Sequence, residues 1–364
     1  MVLYWHTIRY WEPWTYVPTY WVASVFEEGW LGVSLFIVIT GFVFTTLAHG
    51  KSIEYTSFLR NRFLRIFPLL FVVMLFAVVT KKGDPMMLLV FANLLGGGAV
   101  YGTWTLIVEW QFYISFPFLR SALTARRLRT TIVKCLTFCL FFILLRAIFQ
   151  SDGPVVVNDT TTAALQSMAY WTILGQADAF LFGIIAGHVY LATRSADRRW
   201  LLPIAGASFA LVCIAGSWLF HQFNLAGGFY NQPSYPSNAP IWIIWPTICG
   251  AIFGAFVCTY CLLTQSFTGR ISRSIAYLGV ISYSTYMLHF ITYPAVQKLY
   301  LQYLWYTFTP DRFTQGTIIV LFVQYPAALL VSALSYRFIE KPFLAHRVPY
   351  LRPELASVQK LRAA

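Results

Sequence analysis

Charge is what this sequence has least of. Only 11% of its 364 residues are Asp, Glu, Lys or Arg, and just 13 are acidic. Soluble domains carry about 25% charged residues, so a water-exposed globule is excluded. Cysteine is scarce as well. The six present (Cys135, Cys139, Cys213, Cys249, Cys258 and Cys261) all lie in apolar runs. Cys258-Thr-Tyr-Cys261 imitates a redox or zinc motif, but no second cluster accompanies it, so neither metal nor redox use is expected. The opening MVLYWHTIRY has no basic stretch leading into a short apolar core, and a cleavable signal peptide is therefore not expected.

What the chain has in abundance is apolar and aromatic side chains, at 58% and 18%. Together with a mean hydropathy of +0.64, these identify an integral membrane protein. The net charge of +13 does not point to nucleic acid, because the basic residues sit in short loops between apolar runs. Nine stretches are long enough to cross about 30 Å of hydrocarbon, allowing for tilt: 30–48, 66–80, 103–119, 131–149, 169–192, 200–220, 241–263, 275–296 and 315–336. With a partial first helix before residue 30 they predict an all-α polytopic transmembrane helix bundle of about ten spans. Residues 86–100, ending in Gly96-Gly97-Gly98, read as a re-entrant or half helix. Loops 49–65, 120–130, 193–199 and 264–274 and the tail from Arg337 carry most of the Lys and Arg, which assigns them to the cytoplasm.

Few polar groups interrupt the apolar runs, and those few are candidates for chemistry. In Thr103–Pro117, TWTLIVEWQFYISFP, a single carboxylate, Glu109, stands among Trp104, Trp110, Gln111 and Tyr113. An ionisable group at bilayer depth costs roughly 3 kcal/mol or more, so Glu109 either ties helices together or lines a polar reaction cavity. His6, Asp178 and His289 are the other three. A His suits a base that takes a proton from a hydroxyl, and a carboxylate suits the partner that fixes its tautomer. His6 and Glu109 both fall toward the outer half of the expected topology, a shared depth that allows them to meet. Arg62 and Arg65 are three apart beside a span; such a pair either anchors to anionic lipid or holds phosphates.

Five segments, in order, carry a resemblance. Gly29-Trp-Leu-Gly-Val-Ser-Leu-Phe-Ile-Val-Ile-Thr-Gly41-Phe is similar to "GVDLFFVLSGF", and Phe58–Pro68 to "FLRRRxLRIxP". Trp104–Tyr113 resembles "WSLSVEEQFY", Leu278–His289 "LGxISYSLYLxH", and Ser335–Phe343 "SYxxIEKPF". These are motifs of the acyltransferase-3 family of membrane O-acyltransferases, and they span nearly the whole chain.

The resemblance implies an acyl-CoA donor, acetyl-CoA first among them, supplied from the cytoplasm. It also implies an acceptor hydroxyl on a carbohydrate or glycolipid, in a multi-pass protein of the bacterial inner membrane. It gives His6 the catalytic role of the family's first-helix His, whose partner Arg would precede Met1. It makes Arg62 and Arg65 the acyl-CoA contacts, with Glu109 as orienter of His6 or cavity acid. Ser34 and Trp110 depart from the usual Asp and second Glu. His289 is given a helix-tying role, Asp178 a place near the cavity, and Glu340 and Lys341 the roles of local cap and lipid-facing charge. The domain expected is 1–345 with a cytoplasmic tail 346–364, membrane lipids around it, no nucleic-acid partner, and no large soluble domain after Tyr336. Two other readings stay open at this stage: a glycolipid or polysaccharide exporter or flippase, and an inactive truncated relative.

Overall fold

The structure, a computed structural model, describes residues 1–11, 21, 24–80, 104–151, 154–158, 161–164, 172–225, 240–265, 267–303 and 312–353. The expected re-entrant piece at 86–100 lies outside the described residues, as do most of loop 221–240 and residues 354–364. The body is all-α. It runs through α1 (Val2–Trp11), α2 (Ser24–Glu27), α3 (Gly32–Leu47), α4 (Tyr55–Thr80), α5 (Trp104–Leu123), α6 (Leu128–Ser151), α7 (Ile173–Thr193), α8 (Arg198–Leu225), α9 (Ile241–Thr264) and α10 (Arg270–Tyr303). The last helix, α11, is assembled from Arg312–Ile319, the π-helical Val320–Gln324, Tyr325–Ser335, the π-helical Tyr336–Glu340 and Lys341–Leu344. Two short antiparallel ribbons accompany the helices: β1 (Lys51–Ile53) with β4 (Leu351–Pro353), and β2 (Pro154–Asn158) with β3 (Thr161–Ala164).

Among the described residues, six helices are long and apolar enough to cross a membrane: Gly29–Leu47, Leu128–Ile148, Ile173–Thr193, Arg198–Phe223, Ile241–Thr264 and Thr314–Leu344. They match six of the nine expected spans. The other three coincide with α4, α5 and α10, which have 26, 20 and 34 residues and so have the length. Their polar side chains, among them Arg62, Glu109 and His289, hold them below the same apolarity. Six candidate spans, rather than ten, are what the described residues provide.

Helix α7 lies at the centre, against α3 on one side and α9 on the other. Between apolar helices in lipid, association depends on close packing, which small residues permit. Gly41 of α3 and Gly183 of α7 face each other. A Cβ on Gly183 would sit 3.0 Å from the Cα of Gly41, and one on Gly41 3.2 Å from the Cα of Gly183. On α9, a Cβ at Gly250 would lie 3.3 Å from Ala179. Backbone cannot swing aside as a side chain can. Gly183→Ala is therefore expected to cost about 1–3 kcal/mol by overpacking and to lower the thermal midpoint of the detergent-solubilised protein. Gly279→Ala, where an added Cβ meets nothing within 4 Å, is the matched control and should not lower the midpoint, since alanine is favoured over glycine inside a helix.

Several basic loops collect at one end of the bundle. Arg120 donates to the Ala48 carbonyl at 2.7 Å, and the ribbon β1–β4 brings residues 51–53 against 351–353. At the same end Glu54 caps α4, accepting from the Ser57 N–H at 2.9 Å and the Thr56 hydroxyl at 2.6 Å. These bonds, Ser57 first, hold its carboxyl down to about 2, so the cap stays charged near neutral pH.

Candidate active site

Two polar clusters sit at different depths, and α5 and α10 set the distance between them. The helices are joined where the Thr105 hydroxyl donates to the Tyr286 hydroxyl at 2.8 Å. From that level α5 descends one turn to Glu109, toward the basic end, while α10 continues three residues the other way to His289. At 1.5 Å per residue, Glu109 and His289 are separated by about 10 Å along the bundle.

The upper cluster is a pair of histidines. The ring of His6, on α1, lies 5.1 Å from that of His289 and 4.6 Å from Phe290, centroid to centroid. His289 is fully buried. Its Nδ1 faces the Tyr286 carbonyl one turn back on its own helix, and its Nε2 is buried without a hydrogen-bond partner among the described residues. A carbonyl facing Nδ1 accepts a hydrogen bond from Nδ1–H, which leaves Nε2 as the acceptor nitrogen of a neutral imidazole. The helix-tying role expected for His289 is thus corrected. Its backbone partners, Tyr286 and Thr285, both lie on α10, and its Nε2 is the kind of group that a substrate proton satisfies.

The lower cluster gathers Glu109, Tyr113, Arg62 and Arg65. Glu109 accepts a hydrogen bond from the Tyr113 hydroxyl, one turn along α5, and lies within electrostatic range of Arg62 and Arg65. It does not reach His6. The expectation that Glu109 orients His6 is corrected on this point, because the two turns of helix between the clusters exceed the reach of a carboxylate. The Arg62 guanidinium stands among four rings, at 5.0 Å from Phe44, 5.5 Å from Phe58, 5.7 Å from Tyr350 and 5.8 Å from Tyr113. Its Nε is buried with no acceptor among the described residues. Arg65 is placed differently. It pairs with Glu340 at 3.1 Å, donates to the Val280 carbonyl at 3.1 Å and lies 5.5 Å over the Tyr283 ring. Glu340 is fully buried, also accepting from the Ser284 hydroxyl, so it joins α11 to α4 and α10 rather than serving as the local cap expected of it. Lys341 is exposed, as expected of a surface charge.

A cavity of about 400 Å³ opens beside the upper cluster. His289, Tyr286, Thr105 and Tyr283 are among its lining residues, and the Tyr283 ring lies 5.5 Å from the Arg65 guanidinium. Asp178 belongs elsewhere. It is 0% exposed and paired with Arg146, 3% exposed, at 2.8 Å. Arg146 also donates to the Ile243 and Leu174 carbonyls at 2.8 and 3.3 Å, and Thr247 donates to the same carboxylate. The pair welds α6, α7 and α9 together rather than facing the cavity. Arg146 escaped the sequence reading although the rule that flags Glu109, an ionisable group inside an apolar run, applies to it equally. No group of three or more His, Cys, Asp or Glu suited to a metal ion occurs among the described residues.

With this geometry in view, the comparisons are specific. The family model for the Acyltransferase domain of acyltransferase family 3 matches residues 1–337. The chain belongs to the acyltransferase-3 family. Among curated relatives, the O-acetyltransferase OatA of Staphylococcus aureus strains NCTC 8325 and COL is 24% identical over 361 residues, covering 88% of this chain and 53% of the relative. The chain thus spans about half the length of the curated relatives it matches. No solved structure matches it.

Proposed function

We propose that this acyltransferase-3 member moves an acetyl group from acetyl-CoA, held at the basic end of the bundle, to a carbohydrate hydroxyl at the opposite end. The observation that carries this reading is the pairing of two polar clusters in one bundle. An aromatic-walled cationic cage lies toward the basic end, and a pair of imidazoles lies on its far side, at a cavity lined by His289. Arg62 and Arg65 are the donor's phosphate contacts, and the orphaned Arg62 Nε fits a group that receives an anion. His6 is the general base that takes the acceptor's hydroxyl proton, beside the acceptor nitrogen of His289. Glu109, through Tyr113, balances the charge of the mouth and holds the Arg62 cage in shape. The basic end faces the cytoplasm of a bacterial inner membrane. Helices α4, α5, α10 and the first helix complete about ten spans around the six that are apolar enough by themselves.

The exporter reading needs two intramembrane carboxylates able to carry protons. Asp178 is poorly suited to this, being committed to Arg146 and Thr247. The test is the full chain in proteoliposomes given radiolabelled acetyl-CoA and membrane glycolipid extract. Label appearing on carbohydrate, with equimolar release of CoA, is the expected result. Movement of glycolipid across the bilayer with no CoA released would overturn the enzyme reading.

A further inference from the structure

Residues 346–353 are not a free tail. They cross back over the start of α4, the segment that carries Arg62 and Arg65. Asn61 clamps Val348 at both backbone positions, its side-chain N–H donating to the carbonyl at 2.7 Å and its Oδ1 accepting from the N–H at 3.0 Å. The Glu54 N–H donates to the Tyr350 carbonyl at 2.8 Å, Arg60 donates to the His346 carbonyl at 3.4 Å, and the β1–β4 ribbon fixes the register beyond. A two-point amide clamp plus a ribbon is more than covering a helix end requires, since it fixes which side chains face inward.

Two of them matter. The Tyr350 ring is one wall of the Arg62 cage, and it packs at 5.4 Å on Phe58, which is another. Arg347 is exposed, yet it lies within electrostatic range of both Arg62 and Arg65. Three guanidinium groups are thereby drawn together. The one carboxylate ion-paired to any of them among the described residues, Glu340, is held by Arg65 and Ser284. Three guanidinium groups against the two carboxylates of Glu340 and Glu109 leave an excess of positive charge, which a bound polyanion relieves. Burial, and then the charges of Arg62 and Arg65, pull the Arg347 guanidinium below its ordinary value, as this crowding requires.

We propose that residues 346–353 form a strap that completes the donor site, with Arg347 as a third phosphate contact and Tyr350 as the wall that aims Arg62. This rests on the acetyl-CoA reading above. It adds that the strap, and not only α4, recognises the diphosphate and the separate ribose phosphate of a coenzyme A donor. An anionic lipid headgroup offers the same phosphate chemistry, and the test distinguishes the two.

The full chain is reconstituted in phosphatidylcholine vesicles, with and without phosphatidylglycerol, and acetyl-CoA and 3′-dephospho-acetyl-CoA are compared as donors. Losing one charge-assisted phosphate contact is expected to raise the KM for acetyl-CoA about tenfold in Arg347→Ala. The effect on kcat should be smaller, and Arg347→Lys should recover part of the loss. The variant should also narrow the preference for acetyl-CoA over its dephospho form. Asn61→Ala, which releases the strap without touching a charge, should raise the same KM. A rise in KM for Arg62→Ala but not for Arg347→Ala would overturn the strap proposal and leave the donor site standing. No rise for either would remove the donor reading itself. If Arg347→Ala changes only the response to phosphatidylglycerol, the contact is to lipid and the proposal fails.

Discussion

His6→Ala is expected to lower acetyl transfer by about 10²–10⁴-fold, the usual contribution of a positioned general base. The KM for acetyl-CoA should move far less, because His6 belongs to the upper cluster and Arg62 to the lower one. The neighbouring His289→Ala should also depress kcat. Its Nε2 is buried, unpartnered and adjacent to His6, and alanine removes the acceptor without breaking any bond between helices. The informative comparison is the double variant. If the two imidazoles serve one proton transfer, His6→Ala/His289→Ala should be hardly worse than His6→Ala alone, since residues that act as a unit are not additive. A His6→Ala protein that elutes as folded in detergent and keeps full transfer activity would sink the assignment.

The second large effect is on stability. Arg146→Ala is expected to destabilise the bundle by about 3–5 kcal/mol, the cost of leaving one member of a buried ion pair unpaired. The pair is almost completely excluded from solvent, and Arg146 also supplies hydrogen bonds to two carbonyls on separate helices, Leu174 of α7 and Ile243 of α9. All of these are lost together. Asp178→Asn should cost less, since an amide can still accept from Arg146 and Thr247. Replacing both partners with apolar residues of similar size, Arg146→Met with Asp178→Leu, should recover much of the loss, because no orphaned charge remains. Thermal unfolding followed by size-exclusion chromatography in detergent reads all three. An Arg146→Ala protein as heat-resistant as the parent would show that the pair contributes nothing net.

How much was legible beforehand depended on whether a property is local in the chain. Six of the nine expected spans return as candidate spans, and the other three return as helices, because hydropathy over about 20 residues is a property of the chain itself. The family motifs were legible for the same reason, each being contiguous. The partners of the polar residues were not. Glu109 was singled out correctly as an ionisable group in an apolar run, but its partner proved to be Tyr113, one turn away, and not His6. Glu340 reads as a local cap next to Lys341, yet it is buried against Arg65, 275 residues earlier in the chain. The clamp of Asn61 on Val348 joins residues 287 apart, and no pattern within either segment announces it.

Hydropathy and the placement of charge along the chain are enough to establish a helical membrane protein with most of its positive charge in short loops and the tail. Its contiguous motifs also carried the resemblance to acyltransferase family 3. Only the tertiary structure decided which polar groups share a depth in the bundle. That depends on the axial register of antiparallel helices such as α5 and α10, set at Thr105 and Tyr286 and at close crossings such as Gly41 on Gly183. A register shift of one turn moves a side chain by about 5.4 Å. That distance separates a hydrogen-bonded pair from two residues that never meet, and helix-forming tendency and hydropathy do not encode it.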